Sequence, residues 1–159
     1  MDPDLILRWL HVIGACVLWG TGIGIAFFML MAHRTADARV IAHTAGIVVL
    51  ADMVFTATAV ILQPITGVLL SGRLGWSLTE GWIMLSLLLY VLTGLFWLPV
   101  VWIQIRLRNY ARQAEHDGGA LPSGYYRLFR IWFACGIPAF ISVLAILWLM
   151  LARPDIALF

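Results

Sequence analysis

The chain has 159 residues, of which 63% are hydrophobic and 11% are charged, and its mean hydropathy is +0.98. Soluble domains are about 45–50% apolar and about 25% charged, and a chain this short cannot bury so much apolar surface in water. Composition therefore excludes a soluble enzyme, a nucleic-acid binder and a disordered chain, and it indicates an integral membrane protein. The net charge of +2 comes from ten arginines and no lysine, and it points to no particular anionic partner.

Four apolar stretches follow one another along the chain, over residues 5–32, 40–70, 81–105 and 131–151. Each is long enough to cross a hydrocarbon core of about 30 Å, which takes about 20 helical residues. The stretches lack the period-two alternation of strands, so they are helices. We therefore predict an all-α fold in which a four-helix transmembrane bundle forms a single domain over residues 1–159.

The connections between these stretches contain turn and capping residues. Ser77 and Glu80 have the spacing of a capping box before the third helix. Residues 106–130 are the most polar stretch and are expected to form a surface loop. Prolines within the apolar stretches predict kinks in three helices, at Pro64, Pro99 and Pro138.

Arginine positions predict the orientation in the membrane. The first and third connections hold seven arginines, whereas the opposite side holds three. The positive-inside rule then places both termini outside, facing the periplasm if the chain is a multi-pass protein of a bacterial inner membrane. Aromatic residues at both levels fit two interfacial belts, formed by Trp9, Trp76 and Trp82 and by Tyr110, Tyr125, Tyr126 and Trp132.

Asp52 is an ionisable residue inside the second helix. It lies about 18 Å along that helix, near the membrane midplane. Thr56, Ala59, Gln63 and Gly67 follow at helical spacing and predict a polar, small-residue stripe on one face. The stripe either forms a helix–helix contact, with Asp52 protonated or hydrogen-bonded, or serves proton relay or ligand binding. In both cases we expect the carboxyl to point into the bundle, toward the third or fourth helix.

His11 is the second candidate site residue, with Arg8 three residues before it on the same face. A neutral imidazole binds transition metals and haem iron, and an arginine pairs with a haem propionate. The alternative is an interfacial histidine that hydrogen-bonds a carbonyl. His33 and His43 flank the first turn, where a solvated membrane edge is the simpler interpretation and joint binding of a ligand is the other.

Gly20 and Gly24 form a G-x-x-x-G pattern in the first helix. This pattern allows close helix approach, either to a second copy of the chain or to a helix of the same chain. Cys16 and Cys135 both lie in apolar stretches, so no disulfide framework is expected.

Several motifs taken together resemble a known family. The first helix contains Leu10-His11-Val12-Ile13, Trp19-Gly20-Thr21-Gly22 and His33, and the third begins Gly81-Trp82. The ending contains the run from Tyr126 to Phe133, Pro138 and a closing Ala152-Arg153-Pro154. This layout resembles the HemJ-type membrane protoporphyrinogen oxidases, small bacterial proteins that bind b-type haem. It is still closer to an uncharacterised family of predicted bacterial four-helix integral membrane proteins.

The sequence departs from the oxidase family where its chemistry would be. Phe27-Phe28 stands where that family has a Pro-Arg pair, and the stretch from Trp82 to Ser86 lacks its His and Lys. His/Met pairs ligate haem elsewhere, so Met84 is either an axial ligand opposite His11 or a packing residue. The resemblance thus implies the fold and leaves the reaction open.

Three functions follow from these residues. The first is a redox protein with haem b near the outer leaflet, ligated by His11, with Arg8 or Arg73 at the propionates and a quinone or porphyrin-like ligand as partner. The second is a non-enzymatic carrier, assembly factor or accessory subunit with a polar intramembrane site at Asp52. The third is a copper-handling protein that uses His11 and Met84. No catalytic motif is recognisable. An oxidoreductase activity stays open, because key residues of the resembled family are missing.

Overall fold

A computed structural model describes residues 2–156 of the chain. It contains four long helices, α1 (Pro3–Thr35), α2 (Ala38–Leu74), α3 (Gly81–Asp117) and α4 (Ser123–Ala152), each long and apolar enough to cross a membrane. No strand occurs in the described part of the chain. The predicted all-α fold with four membrane-crossing helices is confirmed.

The helices extend beyond the apolar stretches, most of all at the arginine-rich end. The expectation of a surface loop over residues 106–130 is wrong, because α3 continues to Asp117 and α4 begins at Ser123. Only residues 118–122 connect them. Arginine, glutamine, glutamate and alanine favour helix, and they fill the last turns of α3, so the helix continues after hydropathy has fallen.

The first two helices begin at aspartate caps. The Asp2 side chain accepts a hydrogen bond from the Asp4 amide at 3.0 Å, and the Asp37 side chain accepts one from the Arg39 amide at 2.8 Å. Between α1 and α2 the chain reverses in two residues, and Ala36 adopts a left-handed conformation with φ 54°. These caps satisfy amides that the helix starts leave free.

The capping box before α3 is half formed. The Ser77 amide donates to Glu80 Oε1 at 3.2 Å, as the pattern predicts. The Ser77 hydroxyl bonds to Thr79 instead of to the helix, because α3 begins only at Gly81. Glu80 Oε2 accepts from Trp82 Nε1 at 2.7 Å, which ties this connection to the first turn of α3.

The bundle has two halves that differ in packing. The arginine-rich half carries the connections 36–37 and 118–122, and the terminal half carries the start of α1, the connection 75–80 and the end of α4. Helix α3 packs on α4 in both halves. Helix α2 packs mainly on α3 in the arginine-rich half and on α1 in the terminal half.

The predicted aromatic belts are only partly present. Trp9 and Tyr126 are 59% and 43% exposed and fit interfacial positions. Trp82, Tyr125 and Trp132 are buried in the bundle, so their assignment to the belts is wrong. Their side chains pack against neighbouring helices instead of facing lipid headgroups.

Pro64 interrupts the hydrogen bonding of α2. Proline has no amide hydrogen, so the carbonyl four residues earlier, that of Val60, loses its helical partner. The Tyr90 hydroxyl of α3 donates to this carbonyl. The bond links α3 to the terminal half of α2.

The G-x-x-x-G pattern faces open space. A side chain added at Gly20 or Gly24 would meet nothing within 4 Å among the described residues. Within residues 2–156, no other helix therefore packs closely against these two glycines.

Candidate functional site at Asp52

Asp52 begins a π-helical segment, Asp52–Thr56, in the middle of α2. The Ala57 amide donates to the Asp52 carbonyl, five residues back instead of four. Asp52 is only 2% exposed, although it lies within a membrane-crossing helix. π-Helical turns are rare in proteins and are frequent at functional sites, so the backbone and the buried carboxyl mark the same position.

Two side chains of α3 hold the Asp52 carboxyl. Trp97 Nε1 donates to Oδ1 at 3.3 Å. The Gln104 amide satisfies both of its neighbours in one orientation, in which its nitrogen donates to Asp52 Oδ2 at 3.0 Å and its oxygen accepts from Trp132 Nε1 of α4 at 3.3 Å. These four residues, which we term the Asp52 network, connect α2, α3 and α4.

The network contains only neutral partners for the carboxyl. The ion pairs among residues 2–156 join Arg73 to Asp4 and His116 to Asp117, so neither involves Asp52. Thr56 lies one turn further along α2 and is 6% exposed. Its hydroxyl oxygen is near the carboxyl and has no hydrogen-bond partner in the described part of the chain. One polar atom beside Asp52 is thus free to accept a hydrogen.

The predicted orientation of Asp52 is confirmed, since its carboxyl points into the bundle toward α3. The residues of the predicted stripe do not share one neighbour. Asp52 and Thr56 are buried in the bundle interior, whereas Gln63 and Gly67 contact α1. Sequence reasoning missed Trp97, Gln104 and Trp132 as partners. A lone amide in the apolar run of α3 was the available signal for Gln104.

His11 of α1 is hydrogen-bonded to the terminal half of α2. Its Nδ1 lies 2.8 Å from Thr66 Oγ1, and Thr66 Oγ1 donates to the Leu62 carbonyl at 2.7 Å. When that hydroxyl hydrogen goes to the carbonyl, Nδ1 is the donor and Nε2 retains a lone pair. Gln63 Nε2 donates to the His11 carbonyl at 2.8 Å, and Gly67 leaves room for the ring.

The other residues predicted for a haem or copper site are dispersed. Arg8 is exposed, and Arg73 pairs with Asp4 at 3.5 Å. Met84 is half-buried on α3, a helix that forms no extensive interface with α1 within residues 2–156. The structure therefore does not bring Met84 and His11 together. No group of three or more His, Cys, Asp or Glu side chains in the described residues is arranged to hold a metal ion.

His33 and His43 have different surroundings and share no site. His33 stacks on Phe129 with ring centroids 3.7 Å apart, and its Nδ1 lies 3.2 Å from the Tyr125 hydroxyl. The expectation of a merely solvated His33 is wrong, because the ring packs against α4. His43 is exposed and lines a groove between α2 and α3 together with Arg112.

Four long apolar helices with lipid-facing side chains and a buried polar network define a polytopic α-helical integral membrane protein. Over residues 5–154 the chain matches the family described as "Predicted integral membrane protein (DUF2269)", and it belongs to that family. No curated protein and no solved structure matches the chain. The match agrees with the expected uncharacterised membrane family, and the likeness to the HemJ-type oxidases stays a resemblance.

Proposed function

We propose that this membrane protein is a non-enzymatic carrier or accessory subunit whose working group is the Asp52 carboxyl, which takes up and releases a proton inside the bilayer. The observation that carries the proposal is the burial of Asp52 among neutral partners at a π-helical turn. Ionisable groups in membrane spans are costly and mark functional sites by default.

The Asp52 network has partners for both protonation states. A charged carboxylate accepts hydrogen bonds from Trp97 and Gln104, which lower the cost of keeping it in a low-dielectric interior. A protonated carboxyl has a hydrogen to donate, and the Thr56 oxygen beside it lacks a partner. The same side chains thus support a carboxyl that changes its charge without a large rearrangement.

Infrared difference spectroscopy of the reconstituted protein between acidic and alkaline buffer tests this role. We expect a carboxyl stretching band that disappears in Asp52→Asn, which keeps the shape and removes the titration. Asp117→Asn is the matched control, because that carboxyl is exposed at the end of α3. A spectrum in which Asp52→Asn removes no band would refute the proton-carrying role.

A second candidate function is haem b binding at His11, in a redox protein that exchanges electrons with a quinone. The supporting observation is the His11 Nδ1–Thr66 contact, because a ligating histidine usually donates its other ring nitrogen to a fixed acceptor. His11 would hold the iron through Nε2. Arg8 and Arg73 lie at the same end of the bundle, where propionates need charged partners. Bound haem would supply one-electron chemistry.

Haem content of purified protein, read from the Soret band, tests this candidate. His11→Ala is expected to lose the band, whereas Met84→Ala is expected to retain it, because Met84 is not placed beside His11. A protein that lacks the band after expression with ample haem, or an unchanged band in His11→Ala, would exclude the site. The copper-handling alternative would be favoured if the haem-free protein binds copper and if both His11→Ala and Met84→Ala lose it.

For the orientation, we propose a bacterial inner membrane with both termini in the periplasm, on the basis of the seven arginines at the opposite end. A reporter fused after residue 159 is expected to give a periplasmic signal, and one inserted within 118–122 a cytoplasmic signal. The reversed pair of signals would overturn the assignment.

A further inference from the structure

An open groove lies at the arginine-rich end, between the first turns of α2 and the last turns of α3. Its volume is about 710 Å³. Its lining combines charged and polar side chains, among them Arg39, His43 and Arg112, with apolar side chains of α2 that include Ile47 and Leu50. Neither the Asp52 network nor His11 contributes to it, so the groove is a separate feature of the fold.

Two arginines of the groove have no anionic partner. Arg39 and Arg112 are exposed, and neither forms an ion pair within residues 2–156. The Arg112 guanidinium reaches across to α2, where its Nη2 lies 3.7 Å from the position a Cβ of Gly46 would take. Glu115 lines the same groove without pairing with Arg112. Unpaired guanidinium groups are well suited to bind phosphate oxygens.

The groove as a whole has about the length of one lipid leaflet. Ile47 and Leu50 are 55% and 64% exposed. From Arg39 to Leu50 the helix rises about 16 Å, which is about half of a hydrocarbon core of roughly 30 Å. The groove therefore combines cationic groups that lie between Arg39 and the level of Gly46 with apolar side chains that continue toward the membrane midplane.

We propose that this groove binds one anionic phospholipid from the arginine-rich side of the membrane. Its phosphate lies between Arg39 and Arg112, with His43 beside it, and an acyl chain lies along Ile47 and Leu50. Basic pockets between transmembrane helices bind anionic lipid headgroups by the same combination of charge and apolar surface. Glu115 opposes the anion and weakens the site.

The experiment measures lipids retained by the full chain in native mass spectrometry, after reconstitution in bilayers of phosphatidylcholine and phosphatidylglycerol. Wild type is expected to retain one phosphatidylglycerol preferentially. The double variant Arg39→Gln with Arg112→Gln is expected to lose this retention by about 25-fold, since each arginine near an anionic lipid contributes about fivefold. Arg34→Gln with Arg127→Gln removes the same charge from exposed positions outside the groove and is expected to resemble wild type.

Equal losses in the two double variants would show attraction by overall charge only and would overturn the site. Unchanged retention in the groove variant, or equal retention of phosphatidylcholine, would overturn it as well. Displacement of the lipid by inorganic phosphate alone would overturn the phospholipid assignment, because the occupant would then be held by charge without the apolar side chains. If the double variant does not fold, Glu115→Gln decides the question. The proposal requires this variant to retain phosphatidylglycerol more tightly than wild type, and unchanged or weaker retention would refute it.

Discussion

The two halves of the bundle have apolar clusters of very different size. In the arginine-rich half, fifteen buried residues from all four helices and the α3–α4 connection form one continuous apolar cluster. In the terminal half, a small cluster between α3 and α4 consists of Trp82, Ile83 and Leu149. There α1 and α2 meet through polar contacts instead, His11 with Thr66 and Gln63 with the His11 carbonyl.

The two halves of the bundle are therefore held together in different ways. Shared apolar packing fixes the arginine-rich half, while the terminal half consists of two helix pairs with few links between them. The Tyr90–Val60 bond and the stacking of Trp19 on Phe140 are two such links. Regions with few buried apolar contacts open at lower free energy than cores. Asp52 lies where the two halves meet, so the proposed change in its charge would act on the boundary between a fixed and a looser region.

The largest effect is expected in the continuous cluster. Leu107 is fully buried, so Leu107→Ala should lower the free energy of unfolding by about 2–5 kcal/mol through the cavity it leaves. Leu98→Ala on the same helix is the control, because Leu98 is 64% exposed, and it should change stability by less than about 0.5 kcal/mol. Denaturant unfolding in micelles measures both. Equal effects would contradict the proposed difference between lipid-facing and core positions.

The next effect concerns the Asp52 network. Gln104→Leu removes the partner of Asp52 Oδ2 and that of Trp132 Nε1, and each buried polar group left unpaired costs about 1–3 kcal/mol. We expect a clear fall in the unfolding midpoint. Gln113→Leu, at an exposed position of α3 where the amide bonds Asp117, should have little effect. A silent Gln104→Leu would mean that the network does not join α2, α3 and α4.

A smaller effect is expected at the polar α1–α2 contact. A methyl group at Gly14 collides with Gln63 Nε2, so Gly14→Ala displaces that amide from the His11 carbonyl. The loss of one hydrogen bond lowers stability by about 0.5–1.5 kcal/mol. Gly20→Ala on the same helix meets no neighbour and should be neutral or slightly stabilising, unless a second copy of the chain packs there. Loss of dimer in Gly20→Ala alone, measured by cross-linking, would reveal such packing.

The smallest effect is expected at the surface of the terminal half. Asp4 and Arg73 form an exposed ion pair at 3.5 Å, and such pairs contribute up to about 1 kcal/mol. Asp4→Asn should shift the thermal midpoint only slightly, and added salt should remove the difference. A large, salt-independent shift would show that the stability of the terminal half depends on this surface ion pair and not on its internal contacts.

Hydropathy was sufficient to predict the number and order of the helices, because about 20 apolar residues in a row have few alternatives to a membrane span. It did not predict where the helices end. The turns from Arg106 to Asp117 lie outside the apolar stretch, yet their residues favour helix. Hydropathy indicates which residues lie within the membrane, whereas helix propensity and capping decide where a helix ends.

The candidate site was predicted in part for a similar reason. An ionisable residue at membrane depth is visible in the sequence, so Asp52 and its inward direction were predictable. Its partners were not, because Trp97, Gln104 and Trp132 meet it only through the packing of α3 and α4 on α2. The π-helical turn was not predictable either, because one sequence carries no periodicity that marks it.

The π-helical turn also constrains how this chain can change its length. It accommodates the backbone of one extra residue within a continuous helix, as a tolerated insertion does. Deleting one residue from Asp52–Thr56 would restore an ordinary helix, because a bond that spans five residues would then span four. Gln63, Thr66 and Gly67 would keep nearly the same direction toward α1. The same deletion in an ordinary α-helical stretch of α2 would rotate everything after it by about 100°. Relatives with one residue fewer in this segment could therefore keep the contact between their first two helices.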